Sequence, residues 1–173
     1  RNNSIIVDTW SGASGYYGII YANESVISEN TLFVTDYADD TVHFVRTEGS
    51  ENNRSVVESN IINLTSYYPL YNNWYHSVIM LYGYTDLVNN TIYREITNAS
   101  WGPGLRLIDS YGAGNTISGN TLYDSQNDKT VLFENSTNTI FTNNIIHTER
   151  DNAAIELSNS EVLISHNLIE SEG

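Results

Sequence analysis

The chain has no cysteine, one lysine (Lys129) and two prolines (Pro69 and Pro103) in 173 residues. Without cysteine, disulfides, thiol chemistry and cysteine-ligated metals are excluded. Positive charge is scarce too, since seven Lys and Arg face 21 Asp and Glu and give a formal charge of −14. A chain this acidic lacks the positive field that binds nucleic acid or an anionic membrane surface. We therefore expect no nucleic acid as a partner. No apolar run approaches the ~18 residues that cross a membrane, so we expect no membrane span.

Asparagine is abundant, although it is disfavoured in helices and in most strands. It recurs in a fixed setting, with an apolar residue three positions before it and another two positions after it. Six copies and one partial copy of this setting contain Asn3, Asn30, Asn60, Asn90, Asn120, Asn144 and Asn167, in steps of 27, 30, 30, 30, 24 and 23 residues. The apolar offsets stay constant while the segments between them vary, which indicates a structural repeat.

Stacked coils would place each residue ~4.8 Å above its counterpart in the previous coil. We therefore predict that these asparagines form a ladder of amide hydrogen bonds, each in a left-handed conformation at a bend between two strands. The flanking apolar residues predict two inward columns. The first column contains Ile27, Val57, Leu87, Ile117, Phe141 and Ile164. The second column contains Leu32, Ile62, Ile92, Leu122, Ile146 and Ile169.

A second short apolar segment recurs between the asparagine motifs. Its copies are Gly18–Tyr21, Val42–Val45, Val78–Leu81, Leu105–Ile108, Val131–Phe133 and Ala154–Leu157. They are β-branched or aromatic and are bounded by Gly, Asn, Asp and Ser, which is typical of strands separated by turns. A repeat of 23–30 residues made only of short strands predicts one β-solenoid domain over residues 1–173. We expect about six coils, with loop insertions in coils 1–4.

The pattern apolar-x-x-Asn-x-apolar at this interval resembles the right-handed parallel β-helix repeat. It is similar to the pectin-lyase-like superfamily of carbohydrate-binding and sugar-hydrolase repeats, which also includes surface proteins of archaea and bacteria. The resemblance covers essentially the whole chain and implies an all-β, right-handed parallel β-helix. It does not imply one function, because this fold is found in lyases, hydrolases, epimerases, adhesins and structural proteins.

Two of the insertions are rich in aromatic residues. Loops on a solenoid project from one side, so these side chains are expected to cluster: Tyr67, Tyr68, Tyr71, Trp74, Tyr75 and Trp101. Such a cluster could form a platform for sugar stacking, a protein interface, or a loop packed on its own flank.

The candidates for catalysis are few. A β-helix lyase needs a base, usually near carboxylate-bound calcium, and a hydrolase needs two or three carboxylates close together. The weak catalytic candidates are Asp39, Asp40, Arg106 and Asp109, and the last two would lie on opposite faces of a regular strand. The histidines His43, His76, His147 and His166 show no metal-binding spacing. This inventory favours a non-enzymatic role.

No cofactor is expected, although calcium is compatible with four aspartates that precede the second segment of their coils: Asp39, Asp40, Asp128 and Asp151. A solvated acidic rim is the favoured interpretation of these residues. Seven sequons are compatible with glycosylation in an exterior setting: Asn2, Asn23, Asn53, Asn63, Asn89, Asn98 and Asn135.

Neither end of the sequence contains a segment typical of a cap, and both ends lie in the same phase of the repeat. Open strand edges in matching phase favour head-to-tail addition. We therefore expect an extracellular or cell-surface structural protein that stacks with itself, end to end and laterally, into a filament, sheath or surface layer. Glycans are the second kind of partner that we expect. The alternative is a polysaccharide-binding or polysaccharide-degrading β-helix.

Overall fold

A computed structural model describes residues 3–9, 15–36, 41–66, 77–96, 106–125, 130–149 and 154–171. Within these residues the chain forms nineteen strands and no helix. The first ten strands are β1 (Ser4–Thr9), β2 (Gly15–Asn23), β3 (Val26–Ser28), β4 (Thr31–Asp36), β5 (Thr41–Glu48), β6 (Ser55–Glu58), β7 (Ile61–Ser66), β8 (Ser77–Tyr82), β9 (Thr85–Val88) and β10 (Thr91–Ile96). The others are β11 (Arg106–Ala113), β12 (Thr116–Ser118), β13 (Thr121–Asp124), β14 (Val131–Thr137), β15 (Thr139–Thr142), β16 (Ile145–Thr148), β17 (Ile155–Ser158), β18 (Val162–Ser165) and β19 (Leu168–Ser171).

Every third strand belongs to the same sheet, so each turn of the chain adds one strand to each of three parallel sheets. Sheet A has the order β1-β4-β7-β10-β13-β16-β19, sheet B the order β2-β5-β8-β11-β14-β17, and sheet C the order β3-β6-β9-β12-β15-β18. The described strands therefore make six complete turns and one further strand, β19. This topology confirms the predicted all-β parallel solenoid.

The two predicted apolar columns run through the interior of the stack. Register pairs join Ile27, Val57, Leu87, Ile117, Phe141 and Ile164 in sheet C, and Leu32, Ile62, Ile92, Leu122, Ile146 and Ile169 in sheet A. In the middle turns these side chains have almost no exposed surface. Sheet B adds a third inward set that includes Val45, Ile79, Ile108 and Val131.

The asparagine ladder lies at the corner between sheets C and A. The backbone N–H of each asparagine donates to Oδ1 of the next one at 2.8–3.2 Å, from Asn3 to Asn167. The side-chain Nδ2 donates to the same oxygen at 3.0–3.1 Å. Nδ2 of Asn90 also contacts the carbonyls of Val57 and Val88, at 2.8 and 3.0 Å. One side chain thus links its own turn to both neighbouring turns.

The prediction that the ladder asparagines adopt a left-handed conformation is wrong. The residue immediately before the asparagine has the positive φ in six turns: Glu29, Ser59, Asn89, Gly119, Asn143 and His166, with φ between 54° and 66°. The physical reason is that the ladder residue must direct its own N–H along the helix axis to the next Oδ1. The chain therefore bends one residue earlier, where the side chain points into solvent.

We predict that Asn90→Ala lowers the free energy of unfolding by about 2 kcal/mol, because a buried polar group left without a partner costs about 1–3 kcal/mol. The change removes the acceptor of the Asn60 N–H, and it removes one of the three acceptors of the Asn60 Nδ2. Urea unfolding measures the effect. Asn89→Gly is the matched control, since this exposed neighbour has φ +55° and glycine adopts that conformation without strain. An equal loss in both variants would contradict the ladder's role in stability.

Candidate functional site

Many of the residues singled out in the sequence lie outside the described residues. These are the whole aromatic set (Tyr67, Tyr68, Tyr71, Trp74, Tyr75 and Trp101), the aspartates Asp39, Asp40, Asp128 and Asp151, the sequons Asn2 and Asn98, and His76. Apart from Asn2, all of them fall in stretches 37–40, 67–76, 97–105, 126–129 and 150–153. Each stretch follows a strand of sheet A and precedes a strand of sheet B. By their position in the sequence, these candidates therefore all belong to connections that lead from sheet A to sheet B.

The outer face of sheet B carries a group of charged and aromatic side chains. Register pairs align Tyr21, Arg46, Met80 and Asp109 one above the other, and we call these four residues the outer column of sheet B. The guanidinium of Arg46 lies between two tyrosine rings, 5.8 Å from the centroid of Tyr21 and 5.4 Å from that of Tyr82. Cations are attracted to such ring faces. Tyr82 in turn stacks on Tyr111 at 4.9 Å.

Arg106 and Asp109 lie on the same face, which corrects the expectation that they point in opposite directions. Nη1 of Arg106 lies 3.2 Å from each carboxylate oxygen of Asp109. The strand between them is irregular, because the N–H groups of Leu107 and Ile108 both donate to the carbonyl of Thr130, at 2.9 and 3.2 Å. Regular alternation of side chains therefore does not hold over this part of β11, although its register with β8 is unchanged.

Asp109 is nearly buried, and burial raises its pKa from the ordinary 3.8 to about 6. The ion pair with Arg106 acts in the opposite direction, and the nearby Glu134 carboxylate raises the pKa further. Desolvation therefore outweighs the ion pair. A carboxyl group with a pKa near 6 can exchange a proton close to neutral pH, but the described residues around it include no second carboxylate in hydrogen-bond contact with it.

A second ion pair lies inside the β-helix. Arg94 and Asp124 have no exposed side-chain surface, and Nη2 of Arg94 lies 2.5 Å from both oxygens of the carboxylate. Thr130 donates its hydroxyl to Asp124 at 3.3 Å. The pair belongs to the register column that also contains Val34 and Leu64, both buried. The sequence contains a signal for it, since each charged residue stands four positions after a ladder asparagine.

The outer face of sheet A carries a stack of rings. Tyr93, Tyr123 and His147 are register neighbours, with centroids 4.6 and 4.9 Å apart. The Tyr123 hydroxyl donates to Glu149. Burial, together with the carboxylates of Glu95 and Glu149, raises the pKa of Tyr93. Over the residues with a described structure, no group of three or more His, Asp and Glu side chains is arranged to hold a metal ion.

Four of the five described sequon asparagines are exposed: Asn23, Asn53, Asn89 and Asn135. Asn63 is half-buried on the outer face of sheet A, where register pairs place it between Phe33 and Tyr93. Asn53 contacts Glu24 through its Nδ2 at 3.3 Å, and Asn135 accepts from Asn159 at 2.7 Å. Both contacts lie at the surface.

The last described turn exposes part of the core, and we call this surface the end face. Leu157, Ile164 and Ile169 are 46%, 41% and 47% exposed. Their register partners one turn earlier are Phe133, Phe141 and Ile146, which have no exposed surface or almost none. β17, β18 and β19 each pair with a described strand on one side only. Among the described residues, the end face therefore combines apolar surface with three strands that pair on one side only.

The stacked parallel sheets and the asparagine ladder define the class of the protein as a parallel β-solenoid. A family model described as "right handed beta helix region" matches residues 70–173, more than half of the chain, so the chain belongs to this family and the helix is right-handed. No curated protein and no solved structure matches the chain. Over the described parts, no helix is long and apolar enough to cross a membrane.

We predict that Asp109→Asn makes the stability of the protein less dependent on pH between about 4 and 7. The folded-state pKa is about 6 and the ordinary value is 3.8, so the folded state binds the proton more tightly. The stabilisation by protonated Asp109 is therefore complete below pH ~4 and is lost as the pH rises through ~6. The free energy of unfolding of the wild type falls by about 3 kcal/mol through this group. Urea unfolding at pH 4 and 7 measures the difference between wild type and variant.

Asp86→Asn is the control for the loss of one negative charge, because Asp86 lies in sheet C and pairs with Arg54. The prediction would be contradicted if wild type and Asp109→Asn differed in their free energy of unfolding by the same amount at pH 4 and at pH 7.

Proposed function

We propose that the chain is a structural β-helix of the cell surface or extracellular space, which assembles with further copies through its ends. The single observation that carries this proposal is the asparagine ladder, because every turn binds the next through the same amide contacts and so matches a further turn of the same kind, whichever chain supplies it. In the last described turn, three side chains in core positions are about half exposed. Full burial of one such side chain stabilises by about 1.5–3 kcal/mol, so covering the remaining surface of all three supplies roughly 2–4 kcal/mol.

The open strand edges support the same proposal. β17, β18 and β19 present backbone groups at one edge of each sheet, and an added turn would pair with all three strands. The ladder supplies a further contact, because each asparagine accepts from the turn before it and donates to the turn after it. Strand edges of this kind are templates for pairing with another chain.

A second candidate function is favoured by the outer face of sheet B. There the Arg46 guanidinium lies between Tyr21 and Tyr82, and Tyr111 extends the aromatic surface. Aromatic rings and a planar donor with several N–H groups are the groups that bind sugars and their acidic substituents. This arrangement supports binding of a polysaccharide along the face.

For assembly, we predict that Ile164→Asp suppresses the formation of higher-order species at least tenfold, because it places a charge on the end face. Light scattering after size exclusion and electron microscopy over a concentration series, with and without calcium, measure the assembled fraction. Leu163→Asp is the matched control, since this neighbour is 63% exposed on the outer face of sheet C. Monomers of the wild type at every concentration would refute the assembly role.

For polysaccharide binding, we predict that Arg46→Gln weakens binding at least fivefold, and that Arg54→Gln has little effect. Arg54 is the suitable control because it pairs with Asp86 on another sheet. Titration calorimetry with neutral and uronic-acid oligosaccharides measures the affinities. Equal affinity of wild type and Arg46→Gln would remove this face from consideration.

A further inference from the structure

Arg46 differs from the other described arginines in having no carboxylate partner. The other three each form an ion pair with an aspartate. The Arg46 guanidinium lies instead between the rings of Tyr21 and Tyr82, and its buried Nε has no hydrogen-bond partner. Glu48, on the same strand, accepts from the Tyr21 hydroxyl at 2.7 Å. The rings therefore hold the guanidinium in place, while no described carboxylate pairs with it.

A partly exposed acidic residue on the same face, Glu134, also forms no ion pair with a described residue. Register pairs align it with Tyr82 and Tyr111, in a column next to the outer column of sheet B. Glu134 lies on β14, three strands away from β5, which carries Arg46. Three strand spacings are about 14 Å, whereas an ion pair needs about 4 Å. The two charges therefore cannot meet within one copy.

A second copy brings the two charges together if it is related to the first by a twofold axis. An axis perpendicular to the outer face, between β8 and β11, exchanges these two strands and also exchanges β5 with β14. If the axis also passes midway between the two columns, Arg46 of one copy faces Glu134 of the other. The contact occurs twice, because a twofold interface uses the same surface patch on both copies.

The residues next to this axis are suited to an interface. Tyr82 and Tyr111 lie on the two central strands, and their rings stack at 4.9 Å. Tyr82 is 37% exposed, and the centres of interfaces are enriched in tyrosine and arginine. We propose that two copies associate side by side, in antiparallel orientation, through the outer face of sheet B. The tyrosine stacks of both copies lie at the axis, with an ion pair between Arg46 and Glu134 on either side of it.

A polysaccharide would occupy the same face, and the charges favour a second copy as the occupant. The carboxylates of Glu48 and Glu134 would repel a uronic acid, because like charges in contact are costly. A second copy supplies a cation for Glu134 and an anion for Arg46. The contact needs only β5, β8, β11 and β14, so it does not depend on end-to-end assembly.

Charge reversals test the contact, in an Ile164→Asp background so that association through the end face does not contribute. Arg46→Glu alone places two carboxylates together at each contact, and Glu134→Arg alone places two guanidinium groups there. We expect each variant to raise the dissociation constant of the dimer at least about tenfold, as measured by sedimentation equilibrium. An equimolar mixture of the two variants restores opposite charges at both contacts. We expect this mixture to form dimers as the parent protein does.

Glu58→Arg is the matched control, because it makes the same change in net charge on the outer face of sheet C. We expect it to leave the dissociation constant unchanged. Circular dichroism verifies that all variants are folded.

Several outcomes would overturn the side-by-side contact and leave end-to-end assembly of the wild type standing. They are equal dimerisation of the parent protein and both single variants, a mixture that dimerises no better than either variant alone, and a parent protein that stays monomeric at every concentration. Dimers that form only after addition of a uronic-acid oligosaccharide would assign the face to the polysaccharide and would also overturn the proposal.

Discussion

The hydrogen bonding of one turn to the next is the interaction on which the rest of this structure depends. In the middle turns a ladder asparagine uses its side chain to contact its own turn, the turn before and the turn after, as Asn90 does with Val88, Val57 and Asn120. These contacts hold every turn in the same register. Because register is constant, apolar side chains stack into inward columns and rings stack on the outer face, as in Tyr93, Tyr123 and His147.

The buried pair of Arg94 and Asp124 is explained better by register than by stability. Replacement of a buried ion pair by packed apolar residues is often neutral or stabilising, so the pair is weak evidence of a stabilising role. Its column is apolar at Val34 and Leu64, and apolar residues could also have filled the two positions of the pair. A two-residue slip of β10 against β13 would instead break the pair and place at least one of the two charges opposite an apolar residue, Leu122 or Ile92. The pair therefore penalises misregister between these two turns.

The parts of the fold that follow from constant offsets could be predicted from the sequence. The apolar positions around each asparagine predicted two columns because stacking turns a repeat in sequence into a column in space. The left-handed position was missed because six turns place Glu, Ser, Asn, Gly, Asn and His there, without a common residue type. The pairing of Arg106 with Asp109 was missed because the irregular hydrogen bonding at Leu107 and Ile108 has no signal in residue spacing. The pair of Arg94 and Asp124 could have been found, since each residue stands two positions after an inward apolar residue (Ile92 or Leu122) and so lies on the same face of its strand.

A solenoid recognises its next turn through contacts that are the same at every level, so those contacts alone do not select a partner. The ladder acceptor, the inward apolar residues and the strand edges of the end face resemble those between any two turns. Selectivity has to come from features that differ between turns. The buried pair of Arg94 and Asp124 is one such feature, because the column that contains it is apolar at Val34 and Leu64. A turn with a charge in this column is matched only by a turn that supplies the opposite charge, because an unpaired buried charge is costly.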